Sequence, residues 1–590
     1  MKFLKRSGIA LLVLAGLGAC SQSEDVDNSV SDIVAAAERK KPEASTPLPR
    51  GEVPTDFQAE AVSPNFAMTI SEDGLRARIA EISDDKYEGR APTTPGGIAA
   101  SQWVADEMAR IGLQPANNGS WFQETPLIES TLNEETSRLD FFTNEQPIEM
   151  KATEDKVFWT KRTDKHLSFD PTETVFVGYG VVAPEYGWDD YAGVDVKGKT
   201  VIMLINDPGF ANPQSELFNG KAMTYYGRWT YKFEEAGRQG ATAAIIVHET
   251  APASYPWEVV SGSWSGSQYD LERSGDDAKR TKLEGWVSFE GAKRLFAAAG
   301  LDYETMRDAA GNPDFHARVL DTVTVSGQVD STVKHLISRN VAGMIPGSKS
   351  PDEFVFYTAH WDHLGKKEVA DGQDGIFNSA VDNATGLAGI LTIADAFVRQ
   401  ETAPERSILF LAVTAEESGL LGSAYFAANP FVPLKQIVGG INIDGMLPSG
   451  RSRDLEVVGF GASELEDILK SKAELHGKHL IADQNPEAGY FYRSDHISLA
   501  KKGVPMIYSG GGIDLIEGGK AEGIRLGEVY RSDNYHKASD EYNANWDIAG
   551  MAQDLDIMYL LGEELSHAGN WPNWYEGSEF KALRDAMMKE

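Results

Sequence analysis

The chain of 590 residues carries 55 Lys+Arg against 89 Asp+Glu, a formal charge of −34, with 42% hydrophobic residues, 10% aromatics and one cysteine. That length allows about four domains or fewer and the apolar content suffices for large packed cores, so wholesale disorder is excluded. The acidity opposes nucleic acid and anionic lipid surfaces, where affinity depends on Lys and Arg displacing counterions, and a lone thiol makes no internal disulfide.

In chain order, Lys2, Lys5 and Arg6 precede an apolar run from Ile9 to Leu17 and then Gly18-Ala19-Cys20. The run is too short to span a bilayer as a mature helix, so residues 1–19 read as a secretory signal peptide. Leu17-Gly18-Ala19-Cys20 resembles the bacterial lipobox, whose cysteine is acylated. The expectation is an exported protein in the bacterial cell envelope, periplasm or outer membrane, touching membrane only through a lipid on Cys20. Residues 20–59 are rich in Ser, Asp, Glu, Lys and Pro and read as a flexible tether, with the folded part starting near Glu60.

Ala100, Val104, Met108 and Ile111 recur at helical spacing and are closed by Gly112, which predicts a helix packed on a sheet. From about Leu139 to Ser331 short β-runs dominate, such as Val175 to Val182, Thr200 to Ile205 and Ala241 to Val247, with a helical stretch from Tyr231 to Gly240. We read 139–331 as an inserted, mostly β domain that divides a main domain into 60–138 and 332–590. His166, His248 and His316 lie far apart without acidic partners at ligand spacing and are expected to be surface or structural.

From Asn340 strands alternate with helices, which predicts an α/β fold: a mostly parallel, mixed sheet with helices on both faces. Polar residues gather at strand ends. Phe354 to Ala359 stops at His360-Trp361-Asp362-His363, Ser407 to Val413 at Thr414-Ala415-Glu416-Glu417, and Gly440 to Ile443 at Asp444-Gly445-Met446. Ligand sites of open α/β sheets lie beyond the carboxyl ends of strands, so these clusters should converge on one crevice. Asp382 sits just ahead of a helical run, Leu387 to Val398. Carboxylates directly after apolar strands are penalised by desolvation unless paired, and a metal is the natural partner. Imidazole with carboxylate suits zinc, and without a usable cysteine an open catalytic site is favoured over a thiolate structural one. Glu416 and Glu417 suggest a division of labour, one holding metal and the other taking a proton, and Asp382 is the natural bridge between two cations.

His360-x-Asp362, Asp382-Asn383-Ala384-x-Gly386, Glu416-Glu417, Asp444 and Asp533-Asn534-Tyr535-His536 together resemble the leucyl-aminopeptidase and glutamate-carboxypeptidase-like family of co-catalytic zinc peptidases. Arg493-Ser494-Asp495-His496 and Asn340-Val341 to Pro346-Gly347 also look like segments of that family, and Gly178-Tyr179-Gly180 with Gly240-Ala241 to Val247 resembles its inserted protease-associated domain. The resemblance implies two Zn2+ per chain, one held by His360 and Asp444, the other by Glu417 and His536, with Asp382 bridging. It implies Glu416 as the general base toward a bridging water, Asp362 orienting the His360 ring, and Tyr535 facing the oxyanion. It further implies Arg493 as a substrate contact.

The activity so implied is a metallo-exopeptidase acting on peptide substrates, an aminopeptidase above all. A carboxypeptidase with the same ligands, a one-zinc glutaminyl-cyclase-like transferase and a catalytically inactive receptor-like relative are the alternatives. His363 is expected beside the site or exposed, His476 and His479 at a helix end, His496 fixing the loop around Arg493, and Arg451 and Arg453 on a surface turn. Oligomeric state is not readable.

Overall fold

The computed structural model describes residues 68–212, 217–264, 266–273, 279–567 and 569–589. The expected signal peptide, Cys20 and the tether over 20–59 lie outside the described residues.

Helix α1 (Glu72–Ile82) is followed by α2 (Pro95–Ile111), the helix predicted from the apolar spacing. Thr94 caps α2, its hydroxyl accepting the Gly97 N–H at 3.1 Å, and Gly112 ends it at φ 107°, a conformation open to glycine without strain. Strand β1 (Phe122–Leu132) leads into a second region with β2 (Arg138–Thr143), β3 (Lys156–Trp159), β4 (His166–Phe176) and β5 (Thr200–Leu204). There follow α3 (Trp229–Arg238), β6 (Ala243–Val247), β7 (Leu283–Val287) and α4 (Phe289–Ala298). β4, β5, β6 and β7 pair in parallel in that order, and β3 adds to β7 antiparallel. The region is thus rich in strands, as expected, but its parallel core carries helices. Burial on both sides explains the unbroken apolar runs of β5 and β6, whose residues are buried throughout.

Strand β8 (Arg318–Ile345) ties the two regions together. Its first part pairs with β2 and β4, its middle with β1, and its last residues, Val341 to Ile345, with a strand of the main sheet. A single strand therefore runs through the boundary expected at 331.

The main sheet adds β9 (Ser350–His360), helix α5 (Gly386–Val398), β10 (Arg406–Val413), β11 (Ile437–Asn442), β12 (Asp454–Val458), helix α6 (Leu465–Leu475), β13 (His479–Ala482), β14 (Met506–Ser509) and helix α7 (Ala549–Ser566). Its order is β8–β10–β9–β11–β14–β12–β13, with β10, β9, β11 and β14 mutually parallel and the ends mixed. Alternation along β9 sends Val355, Tyr357 and Ala359 into the core under α1, α2, α5 and α7, and Phe354 and Phe356 to the opposite face with Leu409, Leu411 and Phe426. Helix α5 is apolar all round because it is buried nearly all round. The expected α/β architecture is present.

Register places the site. His360 pairs with Val413 and Thr358 with Asn442, so the carboxyl ends of β9, β10 and β11 stop at one level. The residues that follow them meet.

Candidate metal centre

His360 ends β9, Glu416 and Glu417 follow β10, Asp444 follows β11, Asp382 precedes α5 and His536 lies on the loop before α7. Each loop is tied to its neighbours. The Asn383 carboxamide oxygen accepts the N–H groups of Gly386 at 2.9 Å and Gly445 at 3.2 Å, and its nitrogen donates to Ile443 O at 3.0 Å. Asp540 accepts the N–H groups of Val381 at 3.0 Å and Asp382 at 3.2 Å. Arg90, buried in the loop before α2, donates to the carbonyls of Ile82, Trp361, Asn378 and Ser379.

The two oxygens of Asp382 face different partners. Oδ1 lies 3.3 Å from His360 Nε2, which is also 3.3 Å from Asp444 Oδ1. Oδ2 lies 3.4 Å from His536 Nε2, which is 3.1 Å from Glu417 Oε2. Donors about 2.0 to 2.1 Å from a tetrahedral ion stand about 3.3 Å from one another, so each trio has the spacing of a zinc ligand set. Three sets are grouped closely enough to share an ion: His360, Asp382 and Asp444; His360, Glu416 and Glu417; and His363, Asp382 and Glu417.

The electrostatics also call for cations. Burial alone would lower the imidazoles, yet at His360 the Asp444 and Glu416 charges outweigh it and raise it well above its ordinary value. At His536, Glu417 and Asp382 do the same and bring it to about 10. Glu417 is likewise favoured by burial to rise but is held down at about 2 by His536 and His363. Glu416 goes the other way. Burial pushes it well above the carboxylate range, His360 opposes, and the Glu417 and Asp444 charges push it further up. Adjacent carboxylates thus have opposite tendencies, one to stay ionised and one to carry a proton.

Asp362 departs from the expected arrangement. The His360 Nδ1 partner is the backbone carbonyl of Asp362 at 3.1 Å, not its carboxylate, and this still leaves Nε2 free for metal. The Asp362 carboxylate instead accepts the Glu416 N–H at 3.1 Å, tying the end of β9 to the end of β10. Its other oxygen, Oδ2, is buried without a hydrogen bond, and burial raises the group to about 7.

Tyr535 stacks on His536, ring centroids 3.9 Å apart, and burial pushes its hydroxyl well above its ordinary value, so it stays a donor. Arg493 lies over Tyr255 and Tyr490 and donates to Ala253 O at 3.0 Å. His363 is not exposed: it is buried with Nδ1 2.5 Å from Glu417 Oε1, in an orientation that gives neither atom a hydrogen bond. His496 is buried between Phe491 and Tyr508, His476 caps α6 and pairs with Asp556 at 3.1 Å, and Arg453 bonds Asp514 and Leu515 at a turn. His248 is buried against Tyr255 and Trp257.

Sequence reasoning missed Ser494, whose hydroxyl donates to Asp444 Oδ2 at 2.6 Å and accepts from Asn442 Nδ2 at 2.7 Å. This leaves Oδ1 to face His360. Its position inside Arg493-Ser494-Asp495-His496 was the available signal. Arg90 and Asp540 were missed as well, since nothing in their spacing marks a residue that acts by binding the backbone of the ligand loops.

Residues 340–560, which hold every ligand candidate, match the family model described as Peptidase family M28. Aminopeptidase NAALADL1 of Mus musculus is 30% identical over 152 residues, 25% of this chain and 18% of that protein. The Rattus norvegicus protein of the same name is 34% identical over 176 residues, 27% of this chain and 22% of that protein. The matches thus span about a fifth of the length of these relatives. Among solved structures, an aminopeptidase from Aneurinibacillus sp. strain AM-1 has a TM-score of 0.49 at 18% identity, covering 85% of this chain and 96% of that one.

Proposed function

We propose that this protein is a zinc-dependent aminopeptidase of the M28 type, holding two zinc ions and releasing N-terminal residues from peptides. The observation that carries this reading is the split of Asp382, each oxygen facing its own histidine–carboxylate pair. His360 and Asp444 would hold one ion, His536 and Glu417 the other, and Asp382 both. Zinc so placed supplies Lewis acidity to the scissile carbonyl and lowers the pKa of water.

The protein's own groups do the rest. Glu416, uncommitted to either ligand trio and raised by burial, takes the proton of the attacking water and returns it to the leaving amine. The Tyr535 hydroxyl donates to the oxyanion as charge develops. Ser494 and the Asp362 carbonyl fix the orientations of Asp444 and His360. The crowd of carboxylates around the crevice suits a substrate α-ammonium, which favours aminopeptidase over carboxypeptidase. Location in the cell envelope, with a lipid on Cys20, is proposed from the sequence; Cys20→Ala should move the protein from the membrane to the soluble fraction.

The test is hydrolysis of two matched peptides, one blocked at the N-terminus and one at the C-terminus. Only the peptide with a free N-terminus should be cut. Glu416→Gln should keep its zinc and lose about 10²- to 10⁴-fold in kcat. Cleavage only at the free C-terminus would make it a carboxypeptidase, and cyclisation of N-terminal glutamine on one zinc would replace the reading with a transferase.

A further inference from the structure

His363 is the buried group beside the centre that the roles proposed above leave over. The segment after β9 is zipped to the loop before α2: Arg90 Nε donates to Trp361 O at 2.9 Å, the His363 N–H to Arg90 O at 3.2 Å and the Gly365 N–H to Gly89 O at 2.9 Å. The two segments approach so closely that residue 89 must be glycine, with φ at +69° and a notional Cβ only 2.1 Å from Gly365 O. So held, the His363 side chain is 1% exposed and meets Glu417.

Its surroundings are those of a ligand. His363 Nδ1 lies 2.5 Å from Glu417 Oε1, while Glu417 Oε2 lies 3.1 Å from His536 Nε2, so the carboxylate turns one oxygen to each histidine. The two imidazoles stand nearly perpendicular, at 82°, with centroids 5.4 Å apart. Asp382 completes the group: one ligand atom from each of His363, Asp382 and Glu417 lies within 4.8 Å of the other two, the same closeness that joins His360, Asp382 and Asp444.

Neither ring nitrogen of His363 has a hydrogen bond, and Glu417 Oε1 has none either. A hydrogen bond needs a proton aligned between donor and acceptor, and the ring is not turned to supply one. An imidazole lone pair and a carboxylate oxygen facing each other at contact distance repel. Buried polar atoms without partners call for a water or an ion, and between an imidazole and two carboxylates the donor set selects a divalent cation.

We propose that His363 Nδ1 is a ligand of the second ion, beside His536, Glu417 and Asp382. The inference rests on the two-ion reading and deepens it. Two imidazoles and two carboxylates hold the second ion, one imidazole and two carboxylates the first, so the ions are unequal and the second is bound more tightly.

The test needs no turnover. A crystal structure of the zinc-loaded protein should place the second ion about 2.0 to 2.1 Å from His363 Nδ1, whereas an ion that touches Glu417 and His536 with His363 Nδ1 more than about 3 Å away overturns the proposal and leaves the two-ion reading intact. In chelator competition, His363→Ala and His363→Gln should hold the second zinc at least about a hundredfold more weakly than wild type, more than the loss of a residue that only orients a ligand, and hold the first as wild type does. A smaller loss, or an equal loss of both ions, counts against ligation. Melts of the metal-free proteins separate ligand loss from misfolding: the variants should melt as wild type does without zinc and be raised less by added zinc. If wild type holds a single zinc, the two-ion reading fails, and whether that ion touches His363 Nδ1 decides the proposal.

Discussion

Arg90 is the residue whose loss should most widely disturb the centre without touching a ligand. Its guanidinium is buried and donates to Trp361 O at 2.9 Å, Ile82 O at 3.1 Å, Asn378 O at 2.6 Å and Ser379 O at 3.1 Å. Trp361 follows His360 and Ser379 stands three residues before Asp382, so one side chain holds both ligand-bearing segments. Burial pulls Arg90 down to about 10, which still leaves it charged at neutral pH. At about 1.5 kcal/mol per charge-assisted bond the four bonds are worth about 6 kcal/mol, and Arg90→Met would recover about 2 kcal/mol by removing a buried charge. The expected loss is about 4 kcal/mol of unfolding free energy in urea, with zinc affinity about ten- to hundredfold weaker by chelator competition. Arg90→Lys keeps the charge but cannot reach all four carbonyls, and should fall between. If Arg90→Met unfolds within about 1 kcal/mol of wild type and binds zinc as tightly, the idea that Arg90 sets the ligand geometry is refuted.

Ser494→Ala frees Asp444 Oδ2 and should weaken zinc binding about tenfold or more while leaving the melting temperature nearly unchanged; equal affinity would show that the Asn442–Ser494 relay does not orient the ligand. His496 is buried, and burial lowers it to about 3. Its folded pKa is below the unfolded value of about 6.5, so its stabilising contribution is present above that value and lost as pH falls toward 3, at up to about 1.4 kcal/mol per pH unit. Calorimetric melts of wild type and His496→Asn over pH 4 to 7 should differ in slope with that sign, and parallel curves would contradict it. Stripping zinc with a chelator should lower the melting temperature, since a ligand at 1,000 times its Kd stabilises by about 4 kcal/mol, and added zinc should restore it.

The parallel main sheet was legible because β9, β10 and β11 are apolar runs that end on charged residues, a pattern set by burial on both faces and by the position of the crevice. The residues that converge at these strand ends were legible for the same reason, and the roles expected of them come from the resemblance of the whole motif to a known family. What the sequence hid is contact made through the backbone or across regions. Asp362 carries the spacing of a histidine-orienting carboxylate, yet its carbonyl does that work and its carboxylate binds the Glu416 N–H. His363, expected beside the site or exposed, is buried against Glu417, a contact its spacing alone does not show. The strand-rich region was read from its short β-runs, and Val175 to Val182 reads as one strand where the chain in fact breaks after Phe176.

The most direct test is zinc counted per chain on protein loaded at neutral pH and freed of excess metal, in wild type and in His360→Ala and His536→Ala. The bridged geometry of Asp382 predicts two ions in wild type and about one in each variant. One ion in wild type, or one variant keeping both, would contradict the two-ion centre and remove the premise on which Glu416 was assigned its role.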